Sequence, residues 1–194
     1  MPLIASRLPP DTIETDRLLL RLPLPKDGAT VHTAIKESFV QLHTWMDWAE
    51  QLPAIHETEE YILKVSSAFR AHQDFPYFGF LKSSGEFVLA TGLHPRDSGF
   101  RRFEIGYWCR LSHQGHGYVT EAVKALTQVG LQIVKATRIE IRCDPRNESS
   151  RRVAERAGYQ LEETLRNNKR LPDGTLRDTN VYVVVQSQPR DHES

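Results

Sequence analysis

The feature that most constrains this 194-residue chain is a loop with two glycines, Ser112-His113-Gln114-Gly115-His116-Gly117, set between a strand pattern and the best helix pattern. Before it, Arg102 to Arg110 alternates. Phe103, Ile105, Tyr107 and Cys109 point one way; Glu104, Gly106, Trp108 and Arg110 point the other. After it, Tyr118 to Lys135 carries Val119, Ala122, Val123, Leu126, Val129 and Ile133 on one stripe. Glycines let the backbone come close to a ligand. The first amides of a helix have no intrahelical acceptor, and with the helix dipole they form an anion site. The loop predicts a phosphate cradle with a pyrophosphate as its natural guest; the plainer alternative is a turn that only feeds a helix.

Two nucleotide readings fail on the same residues. A P-loop requires a Lys after its last glycine, and Tyr118 follows Gly117. A dinucleotide fingerprint requires a third glycine, but position 120 is Thr, and the preceding strand belongs to a hairpin-rich region.

The rest of the chain alternates helix and strand patterns. Arg17 to Leu22 reads as a strand with Leu18, Leu20 and Leu22 on one side. Asp27 to Phe39 and Glu57 to Gln73 read as helices, the second burying Ile62, Val65 and Phe69. Tyr77 to Leu81 and Phe87 to Leu93 flank the turn Ser83-Ser84-Gly85-Glu86. Thr137 to Cys143 is a strand, and Asn147 to Ala157 a helix with Asn147 as N-cap and Gly158 just past its end. Tyr159 to Leu165 and Arg177 to Val185 close the chain around Pro172-Asp173-Gly174. This order predicts an α+β fold, a mixed sheet with helices on its faces. The Pro-rich start (Pro9, Pro10) and the polar end, Gln186 to Ser194, read as loose termini.

Composition narrows the function classes. Lys plus Arg and Asp plus Glu each number 25, and this neutral balance argues against bulk nucleic-acid binding and a polybasic membrane anchor. No apolar run approaches a membrane span, and Met1 to Arg7 lacks the build of a signal peptide. Two cysteines, Cys109 and Cys143, and scattered histidines fit no disulfide framework and no metal motif. A cytoplasmic protein of one domain over residues 1–194, with its core at about 12–185, is expected.

Gln114-Gly115-His116-Gly117-Tyr118-Val119 resembles the acetyl-CoA motif (Gln or Arg)-x-x-Gly-x-(Gly or Ala) of the GNAT N-acetyltransferases, with Val119 as the one departure. The likeness extends to Glu14-Thr15-Asp16-Arg17-Leu18-Leu19-Leu20-Arg21, Glu104-Ile105-Gly106-Tyr107-Trp108 and Thr120-Glu121-Ala122. It continues through Asp144-Pro145-x-Asn147-x-x-Ser150, Ala157-Gly158-Tyr159, and Asp173-Gly174 with Asp178 and Tyr182, the pattern of the RimJ/RimL subfamily. The resemblance implies a mostly antiparallel sheet splayed between its fourth and fifth strands, here Arg102–Arg110 and Thr137–Cys143. It implies acetyl-CoA in the opening, no metal, and direct transfer to an amine. The acceptor is a protein N-terminal α-amine, as on a ribosomal protein, or a small amine. A CoA-binding module without catalysis is the alternative, and monomer and homodimer both stay open.

The resemblance also implies roles. Glu104 is the first candidate base, against pairing with Arg101 or Arg102; Glu162 is the second, against an exposed strand acid. Ser150 is the group for the leaving thiolate, against a plain first-turn helix residue. The oxyanion meets a backbone N–H among Trp108, Cys109 and Arg110. Gln114, Gly115, His116, Gly117, Tyr118 and Val119 hold the diphosphate, and Asn147 touches the pantetheine arm or caps its helix. From Arg138 to Arg170, nine basic residues face six acids, and Arg152, with Arg146 and Arg151, is a candidate for CoA phosphates. On the acceptor side Asp47 supplies charge to an amine while Trp45 and Trp48 pack against it, or the two rings only anchor the core.

Overall fold

The structure, a computed structural model, describes residues 8–97, 99, 101–170 and 175–186. Eight strands form one sheet: β1 (Thr12–Glu14), β2 (Leu18–Arg21), β3 (Phe75–Leu81), β4 (Phe87–Pro95), β5 (Arg102–Cys109), β6 (Arg138–Cys143), β7 (Gln160–Arg170) and β8 (Leu176–Val185). Their order is β1-β2-β3-β4-β5-β6-β8-β7. The helices are α1 (Gly28–Trp45), α2 (Ile55–Arg70), α3 (Tyr118–Gln128) and α4 (Glu148–Arg156).

Every strand pair is antiparallel except β5–β6. That parallel pair runs Arg102↔Arg138, Phe103↔Ile139, Glu104↔Glu140 and goes no further. Beyond Glu104 the two strands diverge, so the sheet forks where the resemblance placed its splay. The three-residue β1, too short to stand out as a strand in the sequence, moves the fork from the fourth and fifth strands to the fifth and sixth.

The alternation of β5 sorts its residues between two apolar clusters. Phe103 and Ile105, with Ile139 and Ile141 of β6, pack with Ala122 and Leu126 of α3. Trp108 packs with the cluster of α1 and α2 that contains Val31, Leu42, Ile62 and Phe87. One face of the fork therefore carries α3 and α4, the other α1 and α2. Burying a side chain such as Phe103 or Leu126 contributes about 1.5–3 kcal/mol, and these residues are fully buried.

Three expectations change. The Tyr118–Lys135 helix turns into a π-turn at Val129–Val134 and ends with Lys135 at φ +62°. The wider turn rotates the apolar stripe by one residue. Val134 is buried in place of Ile133, which is 37% exposed. The helix expected at Asp27–Phe39 extends to Trp45. The Pro-rich start is docked rather than loose: Pro9 is buried, and the Tyr77 hydroxyl donates to the Pro10 carbonyl. Pro172-Asp173-Gly174, Met1 to Arg7 and the end beyond Gln186 lie outside the described residues. Among the described residues no helix is long and apolar enough to cross a membrane.

Candidate active site

The fork opens into a cavity of about 980 Å³. Its walls come from β5 past Glu104, the start of α3, the end of β6, α4, the end of α1 and the β7–β8 hairpin. On the α3 side, Gly115 and Gly117 stand at φ +80° and +79°, a region that disfavours any side chain. Gly117 is the N-cap of α3, so the amides that follow have no helical acceptor behind them. Gln114, Gly115, Gly117, Tyr118 and Val119 all line the cavity.

This loop is held from behind by the turn that precedes β2. Arg17 donates from Nη1 to the His116 carbonyl (2.9 Å) and from Nε to Glu121 Oε2 (2.7 Å). Its guanidinium lies 4.5 Å from the Tyr118 ring centroid. Thr15 Oγ1 and the Arg17 amide both donate to Glu121 Oε1, at 2.6 and 2.9 Å. Burial raises the Glu121 carboxyl pKa, but these hydrogen bonds outweigh it and hold the group below the usual carboxylate range. The front of the loop is tied to α1: Glu37 accepts from Arg110 Nε (2.6 Å) and the Ser112 amide (2.7 Å). Burial pushes the Glu37 pKa up; the Ser112 and Arg110 hydrogen bonds overcome that and bring it to about 2.

The same face of the fork presents Ser150. Asn147 caps α4 by accepting the Ser150 amide at 3.1 Å, which sets Ser150 in the first turn. Ser150 Oγ lies 2.9 Å from the Tyr107 hydroxyl, which also donates to the Ser150 carbonyl at 3.2 Å. Burial pushes the Tyr107 phenol above its usual value, so it stays a proton donor. Burial likewise raises the Cys109 thiol to about 12, which leaves it protonated and a poor nucleophile.

The opposite face carries the acids. Glu104, the last residue of β5 that pairs with β6, is engaged through Oε2 by Arg96, with Arg142 Nε at 3.6 Å. Glu140 beside it on β6 is buried and accepts from Arg138 (2.7 Å) and Arg142 (2.9 Å). Farther along this face Trp45, Asp47, Trp48 and Trp108 line the cavity, with the Trp48 and Trp108 ring centroids 6.4 Å apart.

Residues 17–160 match the family described as Acetyltransferase (GNAT) domain. The chain belongs to the GNAT acetyltransferase family. It is an N-acetyltransferase with acetyl-CoA as cosubstrate. It is 26% identical to the uncharacterized N-acetyltransferase YoaA of Bacillus subtilis (strain 168), covering 90% of this chain and 96% of that one. It is 29% identical to the ribosomal-protein-serine acetyltransferase of Escherichia coli (strain K12), covering 75% of this chain and 82% of that one. The structure of the microcin C7 self-immunity acetyltransferase MccE with acetyl-CoA and AMP superposes with a TM-score of 0.83 at 25% identity, over 93% of this chain and 99% of that one. A RimL ribosomal α-N-protein acetyltransferase in complex with coenzyme A shares the fold, with a TM-score of 0.82 at 22% identity over 90% and 97% of the two chains.

In this acetyltransferase the fork brings together most residues singled out from the sequence, and it excludes some. Glu162 does not line the cavity: it is exposed on β7 and held by Arg138, which pulls its carboxyl below the usual range. Arg110 is committed elsewhere, its guanidinium to Glu37 and its amide to the Val88 carbonyl (2.8 Å). The His116 ring stacks on Tyr118 at 5.6 Å outside the cavity wall. Arg146 is paired with Asp144 at 2.7 Å, and neither Arg146 nor Arg151 lines the cavity, while Arg152 does. Glu104 pairs with Arg96 and Arg142, not with Arg101 or Arg102. Asp47 binds Lys169 and Arg177. Tyr107, Arg17, Arg96 and Arg142 were not singled out. The strand alternation already put Tyr107 on the Cys109 side, but its meeting with Ser150 joins positions 43 residues apart. Among the described residues no group of three or more His, Cys, Asp or Glu is placed to hold a metal.

Proposed function

We propose that this acetyltransferase, working as a single domain in the cytoplasm, moves an acetyl group directly onto a primary amine, with a protein N-terminal α-amine as acceptor. The α-amine is favoured by the ribosomal-protein-serine acetyltransferase among the relatives. The observation that carries the reading is the fork. Its β5–β6 pairing stops at Glu104, and the two faces beyond that point present different chemistry, an anion cradle with Ser150 on one and Glu104 on the other. Bound acetyl-CoA supplies an activated thioester.

The amides at the start of α3 and the glycine backbone bind the diphosphate; any Cβ at Gly115 or Gly117 would force a strained φ. Arg152 adds charge beside the phosphates and Asn147 orients the α4 turn. Glu104 accepts the proton of the acceptor ammonium, directly or through water. Because both guanidiniums address Oε2, Oε1 is the oxygen turned to this task. As nitrogen bonds to the carbonyl carbon, negative charge develops on oxygen. The Arg110 amide points to β4, so by strand alternation the Cys109 amide points into the fork and is the oxyanion donor. As the C–S bond breaks, the Ser150 hydroxyl hydrogen-bonds the departing sulfur, and Tyr107 fixes the rotamer of that hydroxyl.

The test is release of free thiol from acetyl-CoA with a panel of N-terminal peptides and small amines, run beside CoA binding. Turnover with CoA binding is expected. Binding without turnover across a broad panel would favour a non-catalytic module.

A further inference from the structure

We infer that the acceptor carries an acidic group, a carboxylate or phosphate, within a few atoms of its amine; this rests on the acetyl-transfer reading above. The inference comes from the charge of the acceptor half of the fork in a chain whose overall formal charge is zero.

One wall is an ion ladder that runs from Arg96, just past β4, across β5, β6 and β7. Its acids are Glu104, Glu140 and Glu162, and its bases are Arg96, Arg102, Arg138 and Arg142. Four guanidiniums face three carboxylates, so the ladder keeps one positive charge. Of its members, Arg96, Arg142 and Glu104 line the cavity.

The other wall is built on the β7–β8 hairpin. Lys169 and Arg177 stand opposite each other in register, and like charges at that spacing repel. A single carboxylate from a third element, Asp47 after α1, is shared between them, with Arg177 Nη2 at 3.0 Å from Oδ1 and Lys169 on Oδ2. Arg177 is 9% exposed, a charge taken largely out of water, where an unbalanced cation is costly. Asp47 was expected to receive the acceptor's ammonium. Its carboxylate is already spent on two cations, and Asp144, which also lines the cavity near Arg177, is neutralised by Arg146, so this wall also keeps one positive charge.

Both walls border the same cavity, which the Trp48 and Trp108 rings also line. A second anion seated there would relieve Lys169 and Arg177 and meet Arg96 and Arg142. A polyamine or a Lys-rich N-terminus would meet repulsion on both sides. Three acids among the described residues line the cavity; Asp47 is held on both oxygens by Lys169 and Arg177 and Asp144 on both by Arg146, which leaves Glu104 at the fork to take a proton from the amine itself.

The experiment measures acetyl transfer to N-terminal Ser peptides identical except at positions two and three, which are Asp-Glu, Asn-Gln or Lys-Lys. Phosphoethanolamine, ethanolamine and putrescine form a parallel small-molecule series. The expected order of kcat/KM is acidic over neutral over basic, with about tenfold between the ends or more, shrinking as salt rises. Whichever series is turned over identifies whether the acidic group belongs to a peptide or a small molecule. Lys169→Glu, at a side chain 41% exposed, should remove or invert the order. Equal rates across charge, or the same order in Lys169→Glu, overturns the inference. If nothing is acetylated, the transfer reading fails separately. Calorimetric binding of the N-acetylated peptides to the CoA-loaded protein then decides this one: tighter binding of the acidic member upholds it and equal binding overturns it.

Discussion

Arg17 and Glu121, 104 residues apart, close the back of the glycine loop: the guanidinium pairs with the carboxylate at 2.6 Å and holds the His116 carbonyl at 2.9 Å. The cradle's shape thus depends on a side chain that lies behind it. Arg17→Ala should raise the KM for acetyl-CoA about tenfold, the loss of one charge-assisted hydrogen bond, with a smaller change in kcat. Arg17→Lys should restore part of it, because a point charge can reach Glu121 but cannot also fork to the carbonyl. An equal drop in kcat with unchanged KM would remove this positioning role.

Gly117→Asp sets a carboxylate in the proposed diphosphate cradle and forces φ +79° on a residue with a Cβ. CoA binding by calorimetry should disappear. Gly117→Ala imposes only the backbone cost, about 1–2 kcal/mol, and should weaken binding about tenfold. Unchanged affinity in the Asp variant would argue that phosphates bind elsewhere.

Glu104→Gln keeps the shape of the side chain and removes its ability to take a proton. Turnover should fall about 100-fold, the scale of general base catalysis, while the CoA dissociation constant stays within about twofold. The deficit should narrow as pH rises and the acceptor amine loses its proton in solution. Wild-type rates at neutral pH would exclude Glu104 as base.

Ser150→Ala should slow single-turnover acetyl transfer about tenfold, and Tyr107→Phe less, because the phenol acts only through the Ser150 hydroxyl. If Ser150 serves only as a helix residue, its variant would leave the chemical step unaltered. The double variant should be no slower than Ser150→Ala alone.

The Glu37 contacts give a pH signature. Its pKa is about 2 in the fold against 4.5 for the free group. A lowered folded-state value adds stability that is fully present above about pH 4.5 and is lost as pH falls toward 2. For a side chain 27% exposed the contribution is about 1 kcal/mol after solvent screening. Glu37→Gln should lower the melting temperature at pH 6, and the gap to wild type should close as pH falls from about 4.5 toward 2. Parallel pH–stability curves would count against it.

Local signals carried the fold far. Alternation in β5 assigned its two faces, and both faces matched the two cores. Asn147 and Gly158 marked the ends of α4 because capping is a property of a few adjacent residues. Ile133 failed because a π-turn shifts the helical period, and the chain gives no sign of one in residue spacing. The site was legible where it was local, in the glycine loop and the Asn147–Ser150 turn. It was illegible where charges meet across elements. Asp47 looks free in sequence, and only the hairpin, 122 and 130 residues later, supplies Lys169 and Arg177. Glu162 reads from the sequence as a second candidate base after Glu104, and the strand order, which sets β7 at the sheet edge, takes it out of the fork.

The three-residue seam between β5 and β6 also bears on how the molecule assembles. The strands on either side, 12–109 and 138–185, are each contiguous in the chain and joined internally by antiparallel pairs. The seam partners lie 36 residues apart in the chain, as in Arg102↔Arg138, so closing the seam spans less chain than the β2–β3 pairing, whose partners lie 57–63 apart. A thioester carrier seated in the gap as proposed would stand in for the missing backbone bonds, so amide protons along the seam should exchange with solvent far more slowly once it is loaded.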